Sequence, residues 1–185
     1  MNVNKGHLRL KHILEEYFST HKIMRIGKMY FRLYEPEKEN IVSNYSQEDW
    51  NLIFSDATEN DIKELSYCKN VTILIWCDVA TDSSHGMVFL EENINVPNQI
   101  SFHGGTWKYD RRYYFEVFRS VIYLFDILLD NGLEITTSCS IANNRAAKYQ
   151  NVMGFIETER DEDVIYKKLN REAYRISHVV NKLRI

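Results

Sequence analysis

The stretch from Ile100 to Phe155 constrains the fold of this chain more than any other part of it. A short apolar run, Ile100–His103, is followed by a long amphipathic segment, Arg111–Asn131, and by a run rich in β-branched residues, Leu133–Ile141. Apolar residues recur in the middle segment at the spacing of one helical face, whereas the last run is short and favours a strand. The order strand–helix–strand predicts a right-handed crossover between two parallel strands.

The next segment carries a recognisable pattern. Asn143 is a suitable N-cap for a helix that ends at Gly154. With Asn143, Arg145, Ala146 and then Gly154-Phe155, this segment resembles the Asn-x-Arg-Ala…Gly-Phe segment of the GNAT N-acetyltransferase superfamily. The preceding strand–helix–strand has the order and lengths found in that family. The resemblance implies an α/β (α+β) fold with a mixed central sheet, antiparallel N-terminal strands, a splayed parallel pair and helices on both faces.

The rest of the chain supplies further helices and strands in a consistent order. No internal repeat or linker is visible, so we predict a single GNAT-like domain over residues 1–185, with extra terminal helices at about 8–21 and 172–183. The predicted helices are Leu8–His21, Lys38–Phe54, Glu59–Cys68 (capped by Thr58 or Asn60) and Glu172–Leu183. The predicted strands are Lys28–Tyr34, Val71–Ala80, Gly86–Glu91, Phe155–Glu159 and Val164–Leu169.

Composition excludes several classes of protein. With 44% hydrophobic and 26% charged residues the chain is typical of a globular protein, and a net charge of -3 gives no electrostatic case for a nucleic-acid partner. No apolar run approaches the length of a membrane span, and no leader opens the chain. Cys68, Cys77 and Cys139 lack metal-ligand spacing, so we predict no metal and reduced thiols in a cytoplasmic protein.

In the GNAT family, acetyl-CoA lies in the splay between the parallel strands, and its pyrophosphate meets the N-terminus of the central helix. Backbone amides and the positive end of a helix attract phosphate. The family's phosphate loop reads Arg/Gln-x-x-Gly-x-Gly/Ala, and counting back from Asn131-Gly132 matches it to Arg111, Arg112, Tyr113, Tyr114, Phe115 and Glu116. Arg111 fits, while Tyr114 and Glu116 replace small residues. An ordinary helix start with solvated arginines is the alternative interpretation.

Gly104 and Gly105 close the first strand of the crossover. Two glycines there indicate close backbone approach by a ligand, a bulge, or a tight turn. By the resemblance, a backbone amide near Phe102–Gly105 would hold the thioester carbonyl. His103 is a candidate general base, because a histidine near its reference pKa can take a proton from an amine. A lone strand histidine is more often structural, and both interpretations remain open.

The last helix carries a second departure from the family pattern. Family members commonly place a tyrosine four residues before Gly-Phe to protonate the leaving thiolate, but that position here is Gln150, which is not an acid. Tyr149 is adjacent, and a shifted register would make it the acid. Asn143 is expected to cap its helix and, by the resemblance, to contact the pantetheine arm together with the Arg145-Ala146 segment.

These observations predict an N-acetyltransferase that moves an acetyl group from acetyl-CoA to a primary amine. The amine belongs to a small molecule, a protein N-terminus or a lysine; nucleic acid and membrane are not expected partners, and a homodimer is left open. The alternative function is a catalytically degenerate GNAT-fold binding protein, because Tyr114, Glu116 and Gln150 depart from the family pattern.

Overall fold

The computed structural model describes residues 9–20, 24–38, 46, 48, 50–51, 57–106 and 111–183. Its helices are α1 (Arg9–Thr20), α2 (Glu59–Ser66), α3 (Arg111–Asp130), α4 (Asn144–Val152), α5 (Arg171–Ile176) and α6 (His178–Leu183). Its strands are β1 (Met24–Ile26), β2 (Met29–Leu33), β3 (Val71–Asp78), β4 (Ser84–Glu92), β5 (Gln99–Thr106), β6 (Glu134–Ser140), β7 (Phe155–Arg160) and β8 (Val164–Leu169).

The eight strands form one mixed sheet in the order β1-β2-β3-β4-β5-β6-β8-β7. The β5–β6 pair is parallel, and the other neighbouring strands in the described sheet pair antiparallel. The helix α3 connects the two parallel strands, as the crossover argument requires. The predicted fold class, including the parallel pair, is confirmed.

Helices cover both faces of this sheet. Described residues on one face pack with α1, α3, the end of α4 and the terminal helices, in a core that includes Phe102, Phe125 and Phe155. Those on the other face pack with α2 through Ile62 and with Trp50. The strand β3 is buried along its whole length, as its unbroken apolar run predicts for a strand covered on both sides.

Several local predictions are confirmed. Thr58 caps α2 in a capping box with Asp61, so the choice between Thr58 and Asn60 falls on Thr58. Asn143 caps α4, and its side-chain oxygen accepts a hydrogen bond from the Ala146 amide at 3.0 Å. The first predicted helix is present as α1, and the buried Glu92 carboxylate accepts a hydrogen bond from the Leu10 amide at its start at 3.0 Å.

Other local predictions are wrong or incomplete. Gly104 and Gly105 do not close β5 with a turn, because both lie within the strand and pair with Val88 and Met87 of β4. The predicted C-terminal helix is two helices, α5 and α6, separated at Ser177. The strand β1 was not predicted, since its three residues are too few to show a period. The predicted helix Lys38–Phe54 lies mostly outside the described residues.

No helix in the described part of the chain is both long and apolar enough to cross a membrane.

Candidate functional site

The two parallel strands separate partway along the sheet. The pairing of β5 with β6 covers Gln99–Ser101 and Glu134–Thr136, and among the described residues it stops there. The last pair is held by hydroxyls: Thr136 Oγ1 donates to the Ile100 carbonyl at 3.0 Å and lies 3.3 Å from Ser101 Oγ. Beyond this point β5 stays paired with β4 and β6 with β8, so a cleft opens within the sheet. We call this cleft the splay.

The backbone N–H and C=O groups of successive residues in β5 point to opposite edges of the strand, and this decides which of them face the splay. The Ile100 carbonyl points towards β6, because it accepts the Thr136 hydroxyl. Backbone groups two residues apart in a strand point the same way, so those of Phe102 and Gly104 are also directed to this edge. Those of Ser101, His103 and Gly105 are directed to β4. The β5 rim of the splay therefore presents the backbone N–H groups of Phe102 and Gly104 and, at the end of the strand, that of Thr106.

Side chains of β5 alternate between the two faces of the sheet. Phe102 is buried on the α3 face, where its ring meets that of Phe125 edge-on at a centroid distance of 4.9 Å. His103 lies on the opposite face, the one that α2 covers further along the sheet, and solvent reaches it. Desolvation by the surrounding protein lowers the pKa of His103 below its ordinary value, although the accessibility of the ring limits this effect. A lowered pKa favours the neutral imidazole, the form that can accept a proton.

Gly104 is exposed on the α3 face of β5 beside the splay. A Cβ atom there would lie 3.3 Å from the Met87 carbonyl oxygen and 3.5 Å from the Phe102 ring. These contacts are tight but do not exclude a small side chain. The fold by itself therefore gives only a weak reason for a glycine at this position, which leaves room for a ligand to approach the backbone.

The helix α3 begins at Arg111, and residues 107–110 lie between it and the end of β5 in the chain. The side chains of Arg111, Arg112, Tyr113 and Tyr114 are outside the described part, so their predicted contacts stay predictions. Glu116 lies in the second turn of α3, where its carboxylate abuts Gly27 in the β1–β2 turn and pairs with Arg119 at 3.8 Å. The Oε2 atom of this carboxylate is buried on the β1–β2 side of α3 and accepts no hydrogen bond from a described residue.

The helix α4 forms the opposite rim of the splay. Asn143 and Ala146 form its N-terminal cap, and Arg145 is exposed in the first turn. Tyr149 faces α3, where its ring meets that of Phe118 edge-on at 4.6 Å. Gln150 faces β6 instead and is buried. Adjacent residues on a helix are rotated by about 100° about its axis, so these two side chains contact different neighbours.

A buried polar layer joins α4 to the sheet. Gln150 Nε2 donates to Thr137 Oγ1 and to the Ser138 carbonyl, both at 3.3 Å. Lys167 Nζ donates to Asn151 Oδ1 at 2.8 Å. Burial raises the pKa of the nearby Cys139 thiol, and the positive charge of Lys167 offsets this only in part. A protonated thiol is a poor nucleophile, so Cys139 is a packing residue.

Eight of the predicted site residues lie on the elements that flank the splay. Phe102, His103, Gly104 and Gly105 line the β5 rim, while Asn143, Arg145, Ala146 and Tyr149 belong to α4 behind the β6 rim. Sequence analysis missed Thr136 and Ser138, which mark where β6 leaves β5. The alternating pattern of Ile135–Ser140 was the available signal, since it places these hydroxyls on one face.

Several solved structures have a fold similar to that of this chain. No protein-family model and no curated protein sequence matches the chain. A probable GNAT-family acetyltransferase from Chromobacterium violaceum is 14% identical, with a TM-score of 0.67 over 83% of this chain and 88% of that one. Spermidine N-acetyltransferase from Vibrio cholerae, in complex with CoA and spermine, is 16% identical, with a TM-score of 0.62 over 80% of this chain and 98% of that one.

A third similar structure is ribosomal-protein-S5-alanine acetyltransferase from Vibrio fischeri, which is 14% identical with a TM-score of 0.61 over 81% of this chain and 97% of that one. At such identities these likenesses concern the fold. The chain has the fold of the GNAT N-acetyltransferases, and the resemblance drawn from its Asn143–Phe155 segment is confirmed at that level.

Proposed function

We propose that this protein is an acetyl-CoA-dependent N-acetyltransferase that acts on a primary amine. The observation that carries the proposal is the splay, which opens beyond Ser101 and Thr136 at the carboxyl ends of two parallel strands. Ligands of sheets with parallel strands bind where such ends diverge. The N-terminus of α4 follows β6 directly, and that of α3 follows β5, so both positive helix ends lie at the same edge of the sheet.

The residues of the splay fit the chemistry of acetyl-CoA. The N–H groups of Phe102 and Gly104 are directed into the cleft and would hold the thioester carbonyl oxygen as negative charge develops on it. Gly104 is exposed, and its lack of a side chain would let the pantetheine arm approach the strand. The amides in the first turn of α3, which starts at Arg111, would receive the pyrophosphate.

The acceptor amine would enter from the face that carries His103. The neutral imidazole takes a proton from the acceptor's ammonium group, and the freed amine attacks the thioester carbon. A C–N bond forms as the C–S bond breaks, and the sulfur leaves as a thiolate. In this proposal the second proton that the attacking nitrogen must lose reaches the thiolate through Tyr149 or water. The products are the acetylated amine and coenzyme A.

The alternative is a GNAT-fold protein that binds coenzyme A or a related ligand without catalysis. The specific observation in its favour is Gln150, whose buried carboxamide replaces the acid found at that position in the family. This alternative shares the binding step with the enzyme proposal and differs in turnover.

The decisive experiment is calorimetric titration with acetyl-CoA, followed by an assay of thiol release with a panel of amines. Two of the similar structures are named for spermidine and for a ribosomal alanine, so the panel includes a polyamine and a peptide with an N-terminal alanine. Micromolar binding with thiol release supports the enzyme. Binding without release for any amine supports the alternative. Absence of binding at high micromolar acetyl-CoA rejects both.

A matched variant tests the placement in the splay. Gly104→Ala adds a side chain that meets the Met87 carbonyl oxygen at 3.3 Å, so we expect a small loss of stability, which thermal melting measures. If the arm lies against this glycine, the affinity for acetyl-CoA falls by about tenfold or more. An unchanged affinity would place the arm elsewhere.

The chain's three cysteines are free thiols, which agrees with action in the reducing cytoplasm.

A further inference from the structure

A cavity of about 370 Å³ lies between the C-terminal part of α3 and the helix α5. The residues that line it are Asp126, Leu129, Asp130, Arg171, Tyr174 and Arg175. This volume is at the small end of the range for ligand pockets. The cavity is separate from the splay, because α3 begins at the sheet edge where the splay opens and its 20 residues carry the chain about 30 Å back along the sheet.

The two walls of the cavity carry opposite charges. Asp126 and Asp130 stand one turn apart on α3, and Arg171 and Arg175 stand one turn apart on α5. Like charges at this spacing repel each other, so neither helix gains from its own pair. In the part of the chain that the structure describes, the Asp130 carboxylate and the Arg175 guanidinium form no hydrogen bond or ion pair.

Other contacts hold the two walls in place. The buried Tyr174 lies between the helices, and its hydroxyl is 2.9 Å from Asp126 Oδ1. Arg171 Nη2 donates to the carbonyls of Leu129 and Leu133, at 3.2 and 3.3 Å, at the end of α3. These bonds join α5 to α3 without using the charges of Asp130 and Arg175. The cavity is therefore built before any ligand enters it.

Asp130 is placed against the electrostatics of its own helix. It is the last residue of α3, where the helix dipole disfavours a negative charge, and the last turn holds no basic residue that would offset it. Residues that break a local rule in this way are expected at functional sites. A ligand ammonium group beside Asp130 would relieve the repulsion. Across the cavity, the exposed guanidinium of Arg175 is suited to a carboxylate.

We propose that this cavity binds a small zwitterion, a free α-amino acid, with its ammonium group against Asp126 and Asp130 and its carboxylate against Arg175. A ligand with only a positive charge would be repelled by the arginine wall, and one with only a negative charge by the aspartate wall. A zwitterion matches both walls and carries no net charge, like the cavity itself. The proposal does not depend on acetyl-CoA binding in the splay.

The first test compares ligands on the wild-type chain. Ligand-observed NMR with the common L-amino acids, each at about 10 mM, identifies the amino acid that binds best. We expect it to bind about tenfold or more tightly than its amide, which keeps only the ammonium group, and than the carboxylic acid that lacks the amino group. Equal affinity for either analogue overturns the proposal. So does a result in which none of the amino acids binds.

The second test locates the site with substitutions that remove one charge and keep the shape of the side chain. Asp130→Asn and Arg175→Gln should each weaken binding of that amino acid by about tenfold. Both side chains are exposed, so folding should be preserved, and thermal melting checks this. Glu172→Gln is the matched control, because Glu172 is an exposed charge on α5 that does not line the cavity. Its affinity should equal that of the wild type.

Wild-type affinity in both cavity variants would place the amino acid elsewhere and overturn the proposal. Coenzyme A binding is measured on the same proteins and should be unchanged by either substitution. Loss of amino-acid binding and loss of coenzyme A binding are thus separate results, and failure of the proposed acetyltransferase function would leave this proposal standing.

Discussion

The backbone nitrogen of Tyr174 lies 2.6 Å from the point where a Cβ atom on Gly154 would stand. The start of α5 therefore packs directly on the turn between α4 and β7, and Gly154 adopts a positive φ of +88° there. The glycine of the Gly-Phe pair is required for two reasons, since its conformation is unfavourable for other residues and its missing side chain makes room for α5.

We expect Gly154→Ala to lower the free energy of unfolding by about 3 kcal/mol or more, because backbone strain and a backbone clash add together. Gly132→Ala is the matched control. Gly132 also has a positive φ, of +76°, but its nearest contact is the end of the flexible Arg9 side chain at 3.5 Å. Strain alone should lower the stability of that variant by about 1 kcal/mol. Urea denaturation measures both, and equal losses would show that the contact with Tyr174 contributes nothing.

Tyr174 also ties α5 to α3 through its hydroxyl. The buried hydroxyl lies 3.0 Å from the Ile122 carbonyl and 2.9 Å from Asp126 Oδ1. We expect Tyr174→Phe to lower the free energy of unfolding by about 1–2 kcal/mol, since these acceptors lose a donor. Tyr67→Phe is the control. Tyr67 is 61% exposed, and its hydroxyl donates a solvent-exposed hydrogen bond to Glu37, so its loss should change the free energy of unfolding little. Chemical denaturation that gives the same loss for both variants would contradict the argument.

The lowered pKa of His103 predicts a particular pH dependence. If the neutral imidazole is the base, the acid limb of kcat/KM lies below pH 6.5, the ordinary value for histidine. His103→Gln should remove this limb and lower kcat by about a hundredfold or more. Retention of the limb in the variant would assign it to another group.

The same pKa predicts a change in stability. Between the folded pKa and 6.5 the unfolded chain binds more protons at residue 103 than the folded chain does. The wild type should therefore lose stability relative to His103→Gln as the pH falls through this window, and the difference should be constant above it. Denaturation curves collected across this pH range measure the effect. A difference that does not vary with pH would show that folding leaves the titration of His103 unchanged.

Arg111 and Arg112 provide a test of where the pyrophosphate binds. They begin α3, and their positive charges together with its N-terminal amides would stabilise a bound pyrophosphate. Replacing both by alanine should weaken coenzyme A binding by about tenfold or more and leave pantetheine binding as before. Calorimetry with the two ligands separates these effects. Equal weakening of both, or no effect on coenzyme A, would place the pyrophosphate elsewhere.

Much of the fold could be predicted from local signals. The apolar period of α3, the cap at Asn143 and the apolar run of β3 each involve residues close together in the chain. The end of β5 was misplaced, because Gly104 and Gly105 were expected to close the strand after His103. In the structure they stay extended, since their pairing with Val88 and Met87 of β4 outweighs the local tendency.

The site was only partly predictable. The sequence placed Gly104, Asn143 and Tyr149 near the ends of the right elements, but it could not show that Tyr149 turns to Phe118 while Gln150 turns to Ser138. Nor could it show that the Glu116 carboxylate abuts Gly27. Each of these contacts joins residues from different elements, and no period or spacing within one element encodes them.

The sequence by itself determined the order of the helices and strands, the crossover between β5 and β6, and the cap of α4. These depend on hydrogen bonds and apolar periods among residues within a few positions of each other. Only the tertiary structure decided that β5 and β6 part after Ser101 and Thr136 and that Gln150 reaches the freed Ser138 carbonyl. These contacts join residues far apart in the chain, such as Ser101 and Thr136, so no local pattern encodes them.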